Sequence, residues 1–263
     1  MEFQRKLDKL HRYTNILRSC IYRNGRHPES VTVCPADYKS GHIPPPECEF
    51  VPYTVGSAWG DGKDRHAWFH FTFTVPEEMT SMPVDMLVKT ERSGWDVKNH
   101  QFICYINGEL RQGLDINHRY VRLEKSEGTY DVYLYAYTGP HLEKGQLFIE
   151  LYNVCEDAEQ LYYDISTAAD ALNFLDTHSR EYAEVVDRLD RTYDPVDMTE
   201  PGSEDYYASL KAARAYIQSE LYDKLCKNDD TAISAIGHTH IDCAWQWTFR
   251  QSREKVQIGR AHV

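Results

Sequence analysis

The chain has 263 residues, of which 41% are hydrophobic and 27% are charged, as is typical of a globular protein with a sizeable core. Its net charge of −12 argues against nucleic acids and anionic membranes as partners, because both bind clusters of Lys and Arg. No stretch of the sequence approaches the roughly 18 consecutive apolar residues that a membrane-spanning helix needs.

Residues 1–20 predict an amphipathic helix. The residues that share one face of it at helical spacing are Leu7, Leu10, Thr14 and Leu17. This segment has neither an uninterrupted apolar stretch nor a small-residue cleavage site, so we expect no signal peptide. Residues 24–48 are rich in Gly, Pro and His and predict a loop and linker. Residues 1–48 are therefore assigned as an N-terminal helix followed by a Pro-rich linker.

The seven cysteines are scattered and form no C-x-x-C pair. This pattern favours free thiols in a reducing cytoplasm over a disulfide framework. A metal site built from Cys20, Cys34 and Cys48 can be drawn, but their spacing does not support it.

Residues 49–155 alternate between apolar and polar side chains, which predicts β-strands. In AWFHFTFTV (67–75), one face carries Phe69, Phe71, Phe73 and Val75, and the other carries Trp68, His70, Thr72 and Thr74. The strands TYDVYLYAY (129–137) and QLFIELYNV (146–154) follow, and Asn107-Gly108 predicts a hairpin turn. Together they predict an antiparallel β-sandwich of jelly-roll type.

Residues 156–230 change to a helical period and predict a helical connector. A break is expected near His178. Ser203 predicts the N-cap of a further helix, because a serine side chain can accept the orphan N–H groups of the first turn. Asp229-Asp230 is interpreted as a solvated turn that ends this region.

Residues 231–257 predict the start of a β/α barrel. TAISAIG (231–237) predicts a short buried strand, Trp245 to Gln257 predict a helix, and a polar loop lies between them. The loops at the carboxyl ends of barrel strands form the active sites of such folds. The predicted fold class is therefore α+β and multi-domain: a jelly-roll-like sandwich, a helical connector, and the first strand-loop-helix of a barrel.

The loop contains His238, His240 and Asp242 at alternating positions, so their side chains point the same way in extended backbone. Imidazole and carboxylate groups are both suitable zinc ligands. Because two residues cannot hold a catalytic metal alone, at least one further ligand must come from elsewhere. Trp245 either offers a flat apolar surface on which a sugar ring could stack or packs in the core at the top of the barrel, and Trp247 is assigned to the core.

The segment GHTHIDCAWQWTFRQSREKVQ (237–257) resembles the opening of the catalytic domain of glycoside hydrolase family 38 α-mannosidases, in particular the cytosolic or vacuolar branch. The resemblance implies a metal-dependent retaining hydrolase with one zinc, or another divalent metal, per full-length subunit. By position, His240 and Asp242 match the first two metal ligands, and Trp245 matches the residue that lines the subsite of the cleaved sugar. His238 precedes the ligands and is expected to support them.

The resemblance places the nucleophile, the acid/base and the remaining His ligand downstream of this motif. No residue after Asp242 can supply them here, so we assign no catalytic residue and expect the chain to be an inactive fragment. IGRAHV (258–263) breaks the family pattern. It is also the translation of a common DNA-sequencing adapter, so we interpret it as a non-native tail.

The resemblance implies an α-mannoside or oligosaccharide substrate and a cytoplasmic location, and it leaves room for a homo-oligomer of the full-length protein. Two alternatives stay open. A metal-dependent amidohydrolase would use His238 and His240 together and would give Trp245 no role. A non-catalytic carbohydrate-binding β-domain would instead place the function in residues 49–155.

Overall fold

The computed structural model describes residues 2–36, 44, 46–92, 95–96, 100–139 and 144–225, together with residues 234, 252 and 256. The chain divides into two compact units. One contains Met1–Arg23 and Val154–Ser234 and is built from helices, and the other includes Asn24–Asn153 and is built from strands. The predicted α+β class is therefore confirmed for the described residues.

Among the described residues, twelve strands form the β unit. In chain order they are β1 (Tyr22–Arg26), β2 (Val31–Ala36), β3 (Val51–Tyr53), β4 (Ala58–Trp59), β5 (His66–Thr74), β6 (Val84–Arg92), β7 (Trp95–Asp96), β8 (Gln101–Ile106), β9 (Glu109–Leu114), β10 (Tyr120–Arg122), β11 (Thr129–Tyr137) and β12 (Gly145–Val154). The first sheet has the order β1-β12-β6-β10, with β4 beside β12 and β7 beside β6, and the second sheet has the order β3-β2-β5-β11-β8-β9. The pairs within the second sheet are all antiparallel.

The core of the β unit lies between the two sheets. Every second side chain along the strands of both sheets is buried there, because successive side chains of a strand point to opposite faces. Phe69, Phe71 and Phe73 of β5 meet Met86 of β6 and Ile149 of β12 in this cluster. The predicted division of residues 67–75 into two faces is confirmed, although Trp68 on the second face is buried as well.

The predicted hairpin at Asn107-Gly108 joins β8 to β9. Both residues have positive φ, 53° and 81°, which is the requirement of a two-residue type I′ turn and explains the Asn-Gly pair. The Asn107 side chain also accepts a hydrogen bond from the backbone N–H of Asp131 at 2.9 Å. The turn therefore fixes the position of Asp131 on the neighbouring strand β11.

The prediction of a loop and linker over residues 24–48 is wrong where β1 and β2 run. β2 lies between β3 and β5, and its Pro35 is tolerated because β3 pairs only with Val31, Thr32 and Val33, which leaves one edge of β2 open at the proline. Proline content alone did not reveal this pairing.

The expectation of free thiols is wrong for Cys34 and Cys48, which form a disulfide. The antiparallel pairing of β2 with β3 ends at Val33 opposite Val51, which brings the chain before Val51 beside Cys34. The Cα atoms lie 6.3 Å apart, a separation that a disulfide can span. The disulfide also excludes a metal site built from Cys20, Cys34 and Cys48, because it uses two of the three thiols.

The helical unit consists of α1 (Glu2–Ser19), α2 (Glu156–Ala171), a 3₁₀ turn (Leu172–Phe174), α3 (Arg180–Arg191), α4 (Glu204–Ile217), a π-helical turn (Gln218–Tyr222) and α5 (Asp223–Leu225). The break near His178 lies before α3, as predicted. The Ser203 hydroxyl accepts the Tyr206 N–H at 3.1 Å, which confirms the predicted N-cap. Leu10 and Leu17 of α1 are buried with the apolar stripes of α2, α3 and α4.

The units divide the chain differently from the predicted segments, since α1 belongs with α2 to α5 and the β unit begins at Asn24. The predicted barrel start (231–257) and tail (258–263) lie almost entirely outside the described residues. Within the described part of the chain, no helix combines the length and the apolar character needed to cross a membrane.

The disulfide gives a direct test. In protein purified without reductant, mass spectrometry of a digest should find the peptides of Cys34 and Cys48 linked. Reduction should lower the free energy of unfolding by about 3 kcal/mol, because a loop of this length regains entropy when it is opened. The Cys34→Ser/Cys48→Ser double variant is the control, since a reductant should not change its stability. Separate alkylation of both cysteines in unreduced protein would contradict the assignment.

Candidate functional site

The predicted metal site does not fall within the described part of the chain. His238, His240, Asp242 and Trp245 all lie outside the described residues, so their roles stay predictions. Among the residues that the structure does describe, no three His, Cys, Asp or Glu side chains lie close enough together to hold a metal ion.

The most distinctive surface of the described chain is the face of the second sheet that points away from the sandwich core, here called the outer face. Trp68 and His70 of β5 and Tyr133, Tyr135 and Tyr137 of β11 point to it, because residues two apart on a strand share a face. These aromatic side chains divide into a buried half and a partly exposed half.

In the buried half, Trp68, Tyr135 and Tyr137 are all nearly inaccessible to solvent. The Tyr135 hydroxyl lies 2.5 Å from His66 Nδ1, and His66 Nε2 lies 3.3 Å from Asp64 Oδ1. This chain of hydrogen bonds satisfies polar groups that would otherwise be costly to bury. We interpret it as structural.

The exposed half contains Phe50, His70, Asp131 and Tyr133, here called the ring cluster. His70 and Tyr133 are directly opposite each other in the β5–β11 register, and their rings stack with centroids 4.2 Å apart. Phe50 packs edge-on against both rings, at 5.8 and 6.3 Å. The side chains of His70 and Asp131 remain 27% and 47% exposed. The cluster is therefore an ordered aromatic surface that solvent can reach.

Two polar groups of the ring cluster have defined roles. His70 Nε2 lies 2.7 Å from Asp131 Oδ1, and since a carboxylate only accepts, the imidazole donates from Nε2. Burial raises the pKa of Tyr133, and the nearby Asp131 carboxylate raises it further. The phenol is therefore protonated at neutral pH and can donate a hydrogen bond.

A groove begins beside the ring cluster, on the same strand. Thr72 and Thr74 follow His70 on the outer face of β5, and both line a cavity of about 360 Å³. The opposite side of this cavity is formed by Arg26, His27, Glu29 and Ser30. The groove forms where β5 extends beyond the pairing of β2, whose register reaches only to Thr32 opposite His70.

A second polar feature lies inside the β unit. His100 is 2% exposed, and neither of its ring nitrogens makes a hydrogen bond within the described structure. The hydroxyl of Thr90 is also buried without a partner, and the two residues line a cavity of about 10 Å³. Burial lowers the pKa of His100 to about 4. A cavity of this size holds at most a single water molecule.

The sequence contained part of the information that locates the ring cluster. The alternation in residues 67–75 and 129–137 assigns His70 and Tyr133 to the polar faces of their strands. It does not show that these strands are neighbours, nor that they pair with these two residues opposite each other. Phe50 reaches the ring cluster because of the path of the loop before β3, and no local sequence pattern predicts that path.

No protein-family profile and no curated protein matches the chain. Solved structures of a β-glucuronidase from Ruminococcus gnavus, one in complex with D-glucuronic acid, match 51% of this chain and 30% of their own, at 11% identity and a TM-score of 0.35. The complex with D-glucaro-d-lactam matches equally, at 13% identity. The chain thus spans about 30% of the length of these solved chains. A likeness of this size assigns neither a fold nor an activity.

The buried imidazole predicts a pH dependence of stability. Unfolded His100 takes up a proton below its ordinary pKa of 6.5, whereas the folded form does so only near 4, so stability falls as pH falls between these values. Between about pH 7 and about pH 5 this single group should cost about 2 kcal/mol. Urea unfolding at both pH values should show this loss in the wild type, and His100→Leu should show a correspondingly smaller one.

Phe102→Leu is the control for this measurement, because Phe102 is buried beside the same cavity and does not titrate. It should lower the stability equally at the two pH values. An unchanged pH dependence in His100→Leu would contradict the assignment.

Proposed function

We propose that this chain is the N-terminal part of a glycoside hydrolase that uses a divalent metal, zinc in the first place, to cleave terminal α-mannosides with retention. One observation carries the proposal: the dense motif GHTHIDCAWQW (237–247), which resembles the first metal-ligand motif of family 38 α-mannosidases. The substrate is accordingly an α-mannoside or a mannose-containing oligosaccharide.

The donor set suits zinc, since His240 offers an imidazole nitrogen and Asp242 a carboxylate oxygen. By the resemblance, His240 and Asp242 would hold the metal, which would supply a Lewis acid for binding the mannosyl ring. Trp245 would offer the apolar face of the subsite, and His238 would hold the ligand loop by hydrogen bonding. We assign no nucleophile or acid/base to this chain, because the resemblance places both downstream of the motif.

The order of the described elements supports the proposal. A sandwich is followed by helices that reach Leu225, and the motif comes next in sequence. The proposal requires this order, with a jelly-roll-like domain and a helical connector ahead of a β/α barrel. The motif's resemblance to the cytosolic or vacuolar branch favours a cytoplasmic location. The Cys34–Cys48 disulfide favours an oxidising compartment instead.

The proposal predicts that purified 1–263 hydrolyses no aryl α-mannoside, with or without added zinc, because the resemblance places both carboxylates of the required pair downstream of this motif. The complete reading frame of the source DNA, expressed past the codon for Gln257, should restore turnover. A chelator should abolish that turnover. Metal-dependent hydrolysis by 1–263 itself, or a complete protein that hydrolyses nothing, would contradict the proposal.

The same complete protein separates this proposal from the amidohydrolase alternative. Asp242→Ala should lose its bound metal in elemental analysis, and His238→Ala should retain most of it. An amidohydrolase site would show the opposite pattern, since it needs His238 and His240 together.

A further inference from the structure

We propose that the ring cluster and the groove beside it form a binding site for an uncharged sugar ring on the β unit. The proposal rests only on described residues of the β unit and does not depend on the function proposed for residues 237–247. Three properties of the described residues favour an uncharged sugar as the ligand. They are an ordered aromatic surface, hydrogen-bonding groups at its rim, and the negative sign of the nearby charges.

The aromatic surface suits the apolar face of a pyranose. Sugar rings carry axial C–H groups on one face, and these pack on flat aromatic rings. His70 and Tyr133 stack on each other and are contacted edge-on by Phe50, so the sugar would meet the ring faces that the stack leaves unused. Their order is set in the free protein by the strand pairing and by the hydrogen bond to Asp131. Binding therefore costs little side-chain entropy, which is the usual penalty at an exposed site.

The rim of this surface carries the groups that sugar hydroxyls need. Asp131 engages His70 through Oδ1 and is 47% exposed, so its carboxylate can accept further hydrogen bonds from hydroxyls. The protonated phenol of Tyr133 can donate one. Thr72, the next residue on the same face, is exposed and leads into the groove of about 360 Å³. An aromatic surface with a few polar groups at its edge is the usual composition of a small-ligand site.

The charges select against acidic sugars. Asp131 and Glu29 are both acidic. Arg26, which lines the groove, is already paired with Glu78 at 3.1 Å. The chain as a whole carries a net charge of −12. A carboxylate on the ligand would meet repulsion, and the described residues of the groove lining include no unpaired arginine to offset it, so a neutral pyranoside is favoured over a uronic acid.

The test uses the intact 263-residue chain in buffer with EDTA, so that no metal-assisted binding through residues 238–245 contributes. Saturation-transfer NMR and titration with methyl α-mannoside, methyl β-glucoside and methyl β-galactoside should detect at least one ligand with a millimolar Kd. Glucuronic acid should bind more weakly than the matching glucoside. Absence of saturation transfer to all three neutral sugars overturns the proposal, and so does preferential binding of the acid.

Variants locate the site. Tyr133→Ala should weaken binding about tenfold, because it removes the stacked ring, and Tyr133→Phe should retain most of it. Tyr163→Ala is the matched control, since Tyr163 is a 61% exposed tyrosine of the helical unit, and it should bind as the wild type does. An equal loss in both alanine variants overturns the assignment.

A further variant keeps the test decisive if Tyr133→Ala does not fold. Asp131→Asn preserves size and removes the charge that strengthens hydrogen bonds from hydroxyls, so it should weaken binding several-fold while thermal unfolding shows a folded protein. Full binding by a folded Asp131→Asn protein overturns the proposal. Because EDTA is present throughout, none of these outcomes bears on the proposed hydrolase activity.

Discussion

The pairing of β5 with β11 is the interaction on which most of the β unit depends. Its register sets Val132 opposite Phe71 and Tyr133 opposite His70. Because side chains alternate along a strand, this single register sends the phenylalanines into the sandwich core and the histidine and tyrosine rings to the outer face. A slip by one residue would bury polar groups and expose the core. The core and the ring cluster are thus two results of one constraint.

Local patterns in the sequence predict those elements that a few neighbouring residues determine. The alternation of residues 67–75, the positive-φ preference of Asn107-Gly108 and the capping hydroxyl of Ser203 each act over a few residues, and each was predictable. Residues 24–48 were misassigned because their strands are stabilised by distant partners. β2 is held by β3 and β5, and its proline was tolerated only because one edge is open there. The Cys34–Cys48 disulfide follows from the same non-local pairing.

The metal motif and the ring cluster differ in whether their residues are contiguous in the sequence. The metal motif is contiguous, so sequence alone was enough to nominate His240, Asp242 and Trp245, although they lie outside the described residues. The ring cluster is assembled from three separate stretches of chain, around Phe50, His70 and Tyr133. No stretch alone has a recognisable pattern. A search restricted to motifs therefore finds the first kind of site and misses the second.

The discontinuity of the helical unit has a consequence for biosynthesis. α1 leaves the ribosome before the β unit, but its buried residues Leu10 and Leu17 pack with helices that begin only after Val154. The strand-built residues Asn24–Asn153 are contiguous and can complete their core before those helices are made. During that interval the apolar stripe of α1 has no permanent partner. The nascent chain thus exposes an amphipathic helix for as long as the β unit takes to be synthesised, a period in which a chaperone would find a binding site that the finished protein lacks.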